Sequence, residues 1–243
     1  MKRALTLGLA LLMLLSVMVF PAQAADTPFM DISEETDYYN SIVYLYNLGL
    51  MNGTGPTTFS PSEPFTRAMF VTMLGRMEDV DINEYPGTSF SDVPVGRWDT
   101  PYIEWASQHG IVNGVGNGEF DPTGEITVEQ YCAIVHRFLD SFGWEMDVNV
   151  VHGDWPPGIR DLGDASAYAR DYVWDMLYWG LIPEYYYSSS DSSGVWVHPR
   201  DRVIRSWIAG AFTALYRSLY AGGHSWYHTK PAYYEGTTTG WGI

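Results

Sequence analysis

The stretch GLMNGTGPTTFSPSEPFTRAMF, Gly49 to Phe70, is written again 61 residues later as GIVNGVGNGEFDPTGEITVEQY, Gly110 to Tyr131. At that one offset Phe29 meets Phe90, Asp31 meets Asp92, and Asn52-Gly53 meets Asn113-Gly114. Phe59 meets Phe120, Thr66 meets Thr127 and Arg76 meets Arg137, and no gap is needed. A third copy is more worn. Asp161, Gly180, Pro199 and Ile204-Arg205 answer Asp31, Gly49, Pro61 and Thr66-Arg67, and PEYYYSSSDSSGVWVH replaces the glycine-rich turn. A repeat of this size is one supersecondary unit that cannot bury its own apolar face, so copies must pack on one another.

Each unit has the same local logic. Tyr39, Ile42, Val43 and Tyr46 fall at helical spacing, and Gly49 and Gly110 fit the left-handed position that ends such a helix. Asn-Gly pairs then turn the chain, and Phe59 and Phe120 are expected to peg the loop to the helices. Thr66 and Thr127 are N-cap residues for a second helix, which carries Phe70, Met73, Leu74 and Met77 or Tyr131, Ile134, Val135 and Phe138. In the second unit Thr127 and Gln130 form a capping box. The unit reads as helix, glycine-rich loop, helix, and the fold class as mainly α.

The first 24 residues read as a secretory leader: Lys2 and Arg3, an apolar run, then Ala22-Gln23-Ala24 as the cleavage site. The expected organisation is leader 1–24, repeats 25–86 and 87–143, a linker 144–158, a degenerate repeat 159–220 and an aromatic, glycine-rich tail 221–243. Thirteen Lys and Arg face 29 Asp and Glu, a net charge of −16. Such a chain has no general field for nucleic acid or anionic lipid, so any anionic partner must be held in a local pocket. The lone Cys132 has no partner for a disulfide and sits among Tyr131, Ile134 and Val135 at an expected buried helix position.

FSDV at 90–93, Trp98, GIVNG at 110–114, GEFDP at 118–122 and the FTRAMF of 65–70 resemble the S-layer homology family. The resemblance spans residues 29–218 and implies three repeats in a pseudo-threefold arrangement around a central helical bundle. It also implies a secreted, noncovalent anchor for a Gram-positive-type cell wall. The implied partner is an anionic, often pyruvylated secondary cell wall polysaccharide bound in grooves between repeats. No nucleic acid and, after leader cleavage, no membrane is expected as partner; other envelope proteins are.

Arg67 follows its N-cap directly, where a cation opposes the helix dipole, so an anion bound bidentately is one reason for it. Free N–H groups of the helix start would add to that attraction; a salt bridge or plain solvation is the alternative. Arg205 is its counterpart in the third unit, whereas Val128 replaces it in the second. Trp98 suits stacking on a sugar or a place at the core rim. Asp31, Asp92 and Asp161 suit the capping of the following helices or the holding of loop N–H groups better than a ligand contact. Gly53, Gly114 and Gly118 serve turns first and close approach of a sugar second.

No metal or other cofactor is expected. The six histidines show no metal spacing, the glycines 114, 116 and 118 follow no strand, and no nucleophile elbow occurs. Catalysis on glycans would need two placed carboxylates, and none is singled out. The chain is therefore expected to bind rather than catalyse, as a wall anchor or, alternatively, as a degenerate member of the fold that contacts proteins.

Overall fold

The computed structural model describes residues 27–144, 160–182 and 196–220. The expected leader, the tail 221–243 and nearly all of the linker and third-repeat insertion lie outside the described residues. The described chain is mainly α. Its helices are α1 (Tyr39–Asn47), α2 (Arg67–Met77), α3 (Thr100–Gln108), α4 (Val128–Ser141), α5 (Arg170–Tyr178) and α6 (Arg205–Tyr220). Two 3-10 turns, Ile82–Glu84 and Leu162–Asp164, and isolated β-bridges accompany them among the described residues.

The helix ends follow the sequence. The Thr66 hydroxyl accepts the Met69 N–H at 3.3 Å, and Thr127 and Gln130 complete their reciprocal box. Gly49, Gly110 and Gly180 leave α1, α3 and α5 at φ of 71°, 69° and 67°.

The helices appear in the expected order but do not pack as hairpins. The main helix–helix contacts are between units: α2 lies on α3, α4 on α5, and α6 on α1. The segment before α2, α4 and α6 is the cause. Phe65 N–H donates to Val203 C=O, Ile126 N–H to Phe65 C=O and Val203 N–H to Ile126 C=O, each at 3.0 Å. Every unit thus donates to one neighbour and accepts from the other, and the three pairings close a ring. Inside it Phe70 of α2 meets Tyr131 of α4 at 5.5 Å and Phe212 of α6 at 6.2 Å, and Tyr131 meets Trp207 at 5.0 Å. These four aromatics are at most 1 % exposed, and each contributes burial that a change to Ala would forfeit at about 3–5 kcal/mol. Cys132 is buried beside them, and burial pushes its thiol well above the ordinary range, which leaves it unreactive.

The loops are pinned by carboxylates. Asp31 accepts the N–H groups of Phe59 and Ser60, both at 2.7 Å, and Asp92 those of Phe120 and Asp121 at 2.8 and 2.7 Å. Asp161 does the same for Val197 and His198 at 2.9 and 2.7 Å. In all three units the second of these residues is left-handed without being glycine: Ser60 and Asp121 at φ 60°, His198 at 50°. The paired N–H bonds offset that cost, and they set the aromatic pegs Phe59 and Phe120, which are fully buried.

Slight burial works to raise the Asp31 and Asp92 pKa, but the backbone N–H bonds outweigh it and hold both below the ordinary carboxylate value. A depressed folded pKa stabilises fully above the unfolded value, near 4, and the contribution fades as pH falls through the folded value. Asp92→Ala is expected to lower the urea-unfolding free energy at pH 7 by about 1–2 kcal/mol, and the deficit should shrink as pH drops below about 4. An unchanged midpoint at pH 7 would contradict this role.

Candidate functional site

Arg67 and Arg205 are the first residues of α2 and α6, and both point across a unit boundary. Arg67 Nε donates to Phe120 C=O and its Nη2 to Asn113 C=O, each at 2.9 Å. Arg205 repeats the pattern one boundary away, to Phe59 C=O at 2.8 Å and Asn52 C=O at 2.7 Å. Each guanidinium also lies 4.6 Å over the ring of its peg, Phe120 or Phe59. The two side chains are only 8 % and 3 % exposed. Among the described residues neither pairs with a carboxylate.

A guanidinium buried without a counter-ion is costly, and the shifts record it. Burial pushes Arg67 below its ordinary range, with Asp121 the largest opposing pull. Burial pushes Arg205 down to about 10, with Asp31 partly opposing.

Each arginine lines a pocket. Arg205 shares a cavity of about 350 Å³ with Asn52, Gly53, Met69, Arg76 and Trp98. Arg67 shares one of about 300 Å³ with Asn113, Gly114, Gln130, Arg137 and Tyr168. Met69 and Arg76 of one answer Gln130 and Arg137 of the other at the 61-residue offset, so the two cavities are the same site built twice. Each draws on three units: the arginine of one, the Asn-Gly loop and second helix of the next, and the aromatic before the first helix of a third. Neither is lined by a carboxylate.

A sequence profile of the S-layer homology domain matches residues 28–69 and 89–132. These two segments carry the S-layer homology domain. A cell surface protein of Thermoanaerobacter kivui is 36 % identical over 148 residues, which cover 58 % of this chain and 18 % of that protein. An endoglucanase of Bacillus sp. (strain KSM-635) is 31 % identical over 182 residues, 71 % of this chain and 18 % of the enzyme. A surface layer protein of Brevibacillus choshinensis is 28 % identical over 169 residues, 68 % and 14 % of the two chains. The chain therefore matches less than a fifth of the length of these relatives. Family and relatives together identify a secreted, cell-surface protein. No helix among the described residues is long and apolar enough to cross a membrane.

For an S-layer homology chain the site differs from the sequence expectation in two ways. The helix starts are not free for an anion. The N–H groups of Arg67 and Ala68 donate to Gly124 and Pro122 C=O, and those of Arg205 and Ser206 to Glu63 and Pro61 C=O. The neighbouring loop saturates the donors that an anion would use. Nor does Arg67 serve only a ligand or a salt bridge, since its fork holds the carbonyls of the next unit's loop, a structural task invisible within one repeat.

The remaining expected residues divide. Gly53 and Trp98 line the Arg205 pocket, Trp98 at 57 % exposure on its rim, and Gly114 lines the Arg67 pocket. A Cβ on Gly114 would meet Glu119 C=O at 2.5 Å and the Phe90 ring at 3.0 Å, so close packing of the loop demands glycine there. Gly118, at φ 74°, lies outside the pocket lining and turns the loop, its C=O accepting the Ser91 N–H at 2.9 Å. Asp31 and Asp92 give both carboxylate oxygens to loop N–H groups rather than to a pocket. Arg76, Arg137 and Tyr168 line the pockets without having been singled out. The identity of Arg76 and Arg137 at the common offset was the available signal for two of them.

Because Arg67 and Arg205 each satisfy two buried carbonyls, Arg67→Ala or Arg205→Ala should destabilise the fold by about 2–4 kcal/mol in urea titration. A loss within about 0.5 kcal/mol, the usual range of a surface change, would show that the forks are not structural.

Proposed function

We propose that this chain is a noncovalent cell-wall anchor that binds an anionic, pyruvylated secondary cell wall polysaccharide in its two guanidinium pockets. The observation that carries the reading is a cation pair without an acid. Four of the chain's 13 Lys and Arg line the two cavities, although acids outnumber bases more than twofold. Arg76 and Arg137 supply the second cation of each pair. Arg76 makes one long bond, to Leu50 C=O at 3.4 Å, and Arg137 lies 5.7 Å from the Tyr172 ring. Two guanidinium groups with uncommitted N–H donors in a partly desolvated cleft favour a carboxylate. Trp98 and Tyr168 on the rims suit the apolar face of a pyranose.

The third boundary supports the pairing. Val128 replaces the first arginine there and is fully buried, while Ala214 stands at the position of Arg76 and Arg137. Both cations are missing together, as expected if they act as one device. On this reading residues 159–220 are a degenerate third repeat that lends Arg205 and Tyr168 to the two pockets, the ring of contacts is a pseudo-threefold arrangement, and residues 1–24 direct export. Binding rather than catalysis is the activity on this reading.

The test is co-sedimentation with purified wall, before and after mild removal of pyruvate. Arg76→Gln together with Arg137→Gln leaves the structural forks intact and should weaken retention at least about tenfold, the value of one charge-assisted hydrogen bond. Retention unchanged by the double substitution, or by removal of the acidic groups, would overturn the reading.

A further inference from the structure

His136 of α4 stands at the junction of the second and third units, where α4 lies on α5. At the same position of α2 and α6 stand Gly75 and Thr213. A Cβ on Gly75 would meet the Tyr102 ring at 2.4 Å, so the junction of the first two units is closed by a bare glycine under a tyrosine. Tyr172 is the third residue of α5 as Tyr102 is of α3, and its ring lies 4.7 Å from the imidazole. Packing alone therefore does not call for a histidine here.

The ring nitrogens both face acids. Nδ1 meets Asp140 Oδ2 of its own helix at 3.0 Å, and Nε2 meets Asp175 Oδ2 of α5 at 3.3 Å, while Trp179 stacks on the ring at 5.6 Å. Carboxylates only accept and a neutral imidazole has one N–H to give, so both contacts are made only by the imidazolium. The other titratable groups around the ring are Tyr172 of α5, the Arg137 guanidinium 5.7 Å from the Tyr172 ring, and Cys132 one turn earlier on α4. Burial works to lower the His136 pKa, but Asp175 and Asp140 outweigh it and hold the ring above the ordinary histidine value.

The same junction builds a pocket. Gln130 and Arg137 of α4 line the Arg67 cavity, and Tyr168 enters it just ahead of α5. How closely α5 is held to α4 sets the distance between those walls. The Arg205 cavity takes Arg76 from α2 and Trp98 from just ahead of α3, and that junction has Gly75 in place of the histidine.

We propose that His136 is a proton-operated clamp on the Arg67 pocket: as imidazolium it ties α5 to α4 through Asp175 and holds Tyr168 across from Arg137, and as neutral imidazole it releases one carboxylate and lets the two walls part. The consequence for binding rests on the anionic-saccharide reading, whereas the clamp itself does not. A raised folded pKa gives a contribution that is whole below the unfolded value, near 6.5, and is lost as pH rises through the folded value. The Arg67 pocket then grips best at mildly acidic pH, and the Arg205 pocket is indifferent over the same range.

In an NMR titration of the unaltered protein the His136 ring should titrate above free histidine, with both nitrogens protonated at about pH 6. His136→Phe keeps an aromatic ring and removes the donors, so its urea midpoint should fall at about pH 6 and approach that of the unaltered protein by about pH 8.5. Arg76→Gln leaves only the Arg67 pocket working. Its retention on purified pyruvylated wall should weaken about threefold over that rise in pH, the worth of one partly exposed ion pair. Arg137→Gln leaves only the Arg205 pocket and should retain equally at both, and adding His136→Phe to Arg76→Gln should remove the pH dependence. A ring that titrates at or below free histidine, or a urea deficit equal at the two pH values, overturns the clamp. A pH dependence shared by both single-pocket variants, or one that survives His136→Phe, overturns its hold on the pocket. Failure of the unaltered protein to bind wall at either pH overturns the anionic-saccharide reading and the regulation of binding with it, while the ring titration and the urea series still decide the clamp.

Discussion

Three buried main-chain hydrogen bonds hold the rest in place. Phe65, Ile126 and Val203 are at most 1 % exposed, and each gives its N–H to one neighbour and its C=O to the other. A buried peptide group must find a partner, and here none finds it within its own unit. The ring fixes how far each second helix advances into the next unit. It thereby brings the first N–H groups of α2, α4 and α6 under the proline-bearing loops that cap them. A unit removed from the ring would expose both its apolar face and these unpaired groups, so the three share one stability.

The ring also explains why the cations sit where they do. Closure puts a glycine-rich loop over the start of the preceding unit's second helix, and that loop has carbonyls facing inward. Arg67 and Arg205 answer them and stack on the peg phenylalanines, which softens the cost of burying a charge without repaying it. No carboxylate completes the balance within the described residues. The pocket is therefore left electrically open towards solvent, and Arg76 or Arg137 deepens the imbalance. At the boundary where Val128 removes the first cation, Glu129 instead binds the N–H and hydroxyl of Ser166 at 2.8 Å, and the Tyr131 hydroxyl donates to Leu181 C=O at 2.9 Å. That junction is secured by acid and phenol rather than by a guanidinium fork.

Local signals made much of this legible. The caps at Thr66 and Thr127, the glycines that end the first helices, the pegs and the loop-holding role of Asp31, Asp92 and Asp161 all act within one unit, where spacing reveals them. What acts between units was not legible. Hydrogen bonds between backbone groups leave no mark on residue type, so neither the ring nor the capping of α2 and α6 by neighbouring carbonyls could be read. Arg67 was visible as a misplaced cation, but its carbonyl partners lie in another repeat. Arg76 and Arg137 were visible only as an aligned pair, because closure alone brings them to the cavity. Tyr168 was hidden by the unequal spacing of the third unit.

The most direct test of the account is native-state hydrogen exchange at the amides of Phe65, Ile126 and Val203. The account predicts that all three exchange only through global unfolding, with one common protection and one common dependence on urea. Exchange of any of them at a faster, urea-independent rate would mean that the ring opens locally, and the closed arrangement that builds the pockets would not hold.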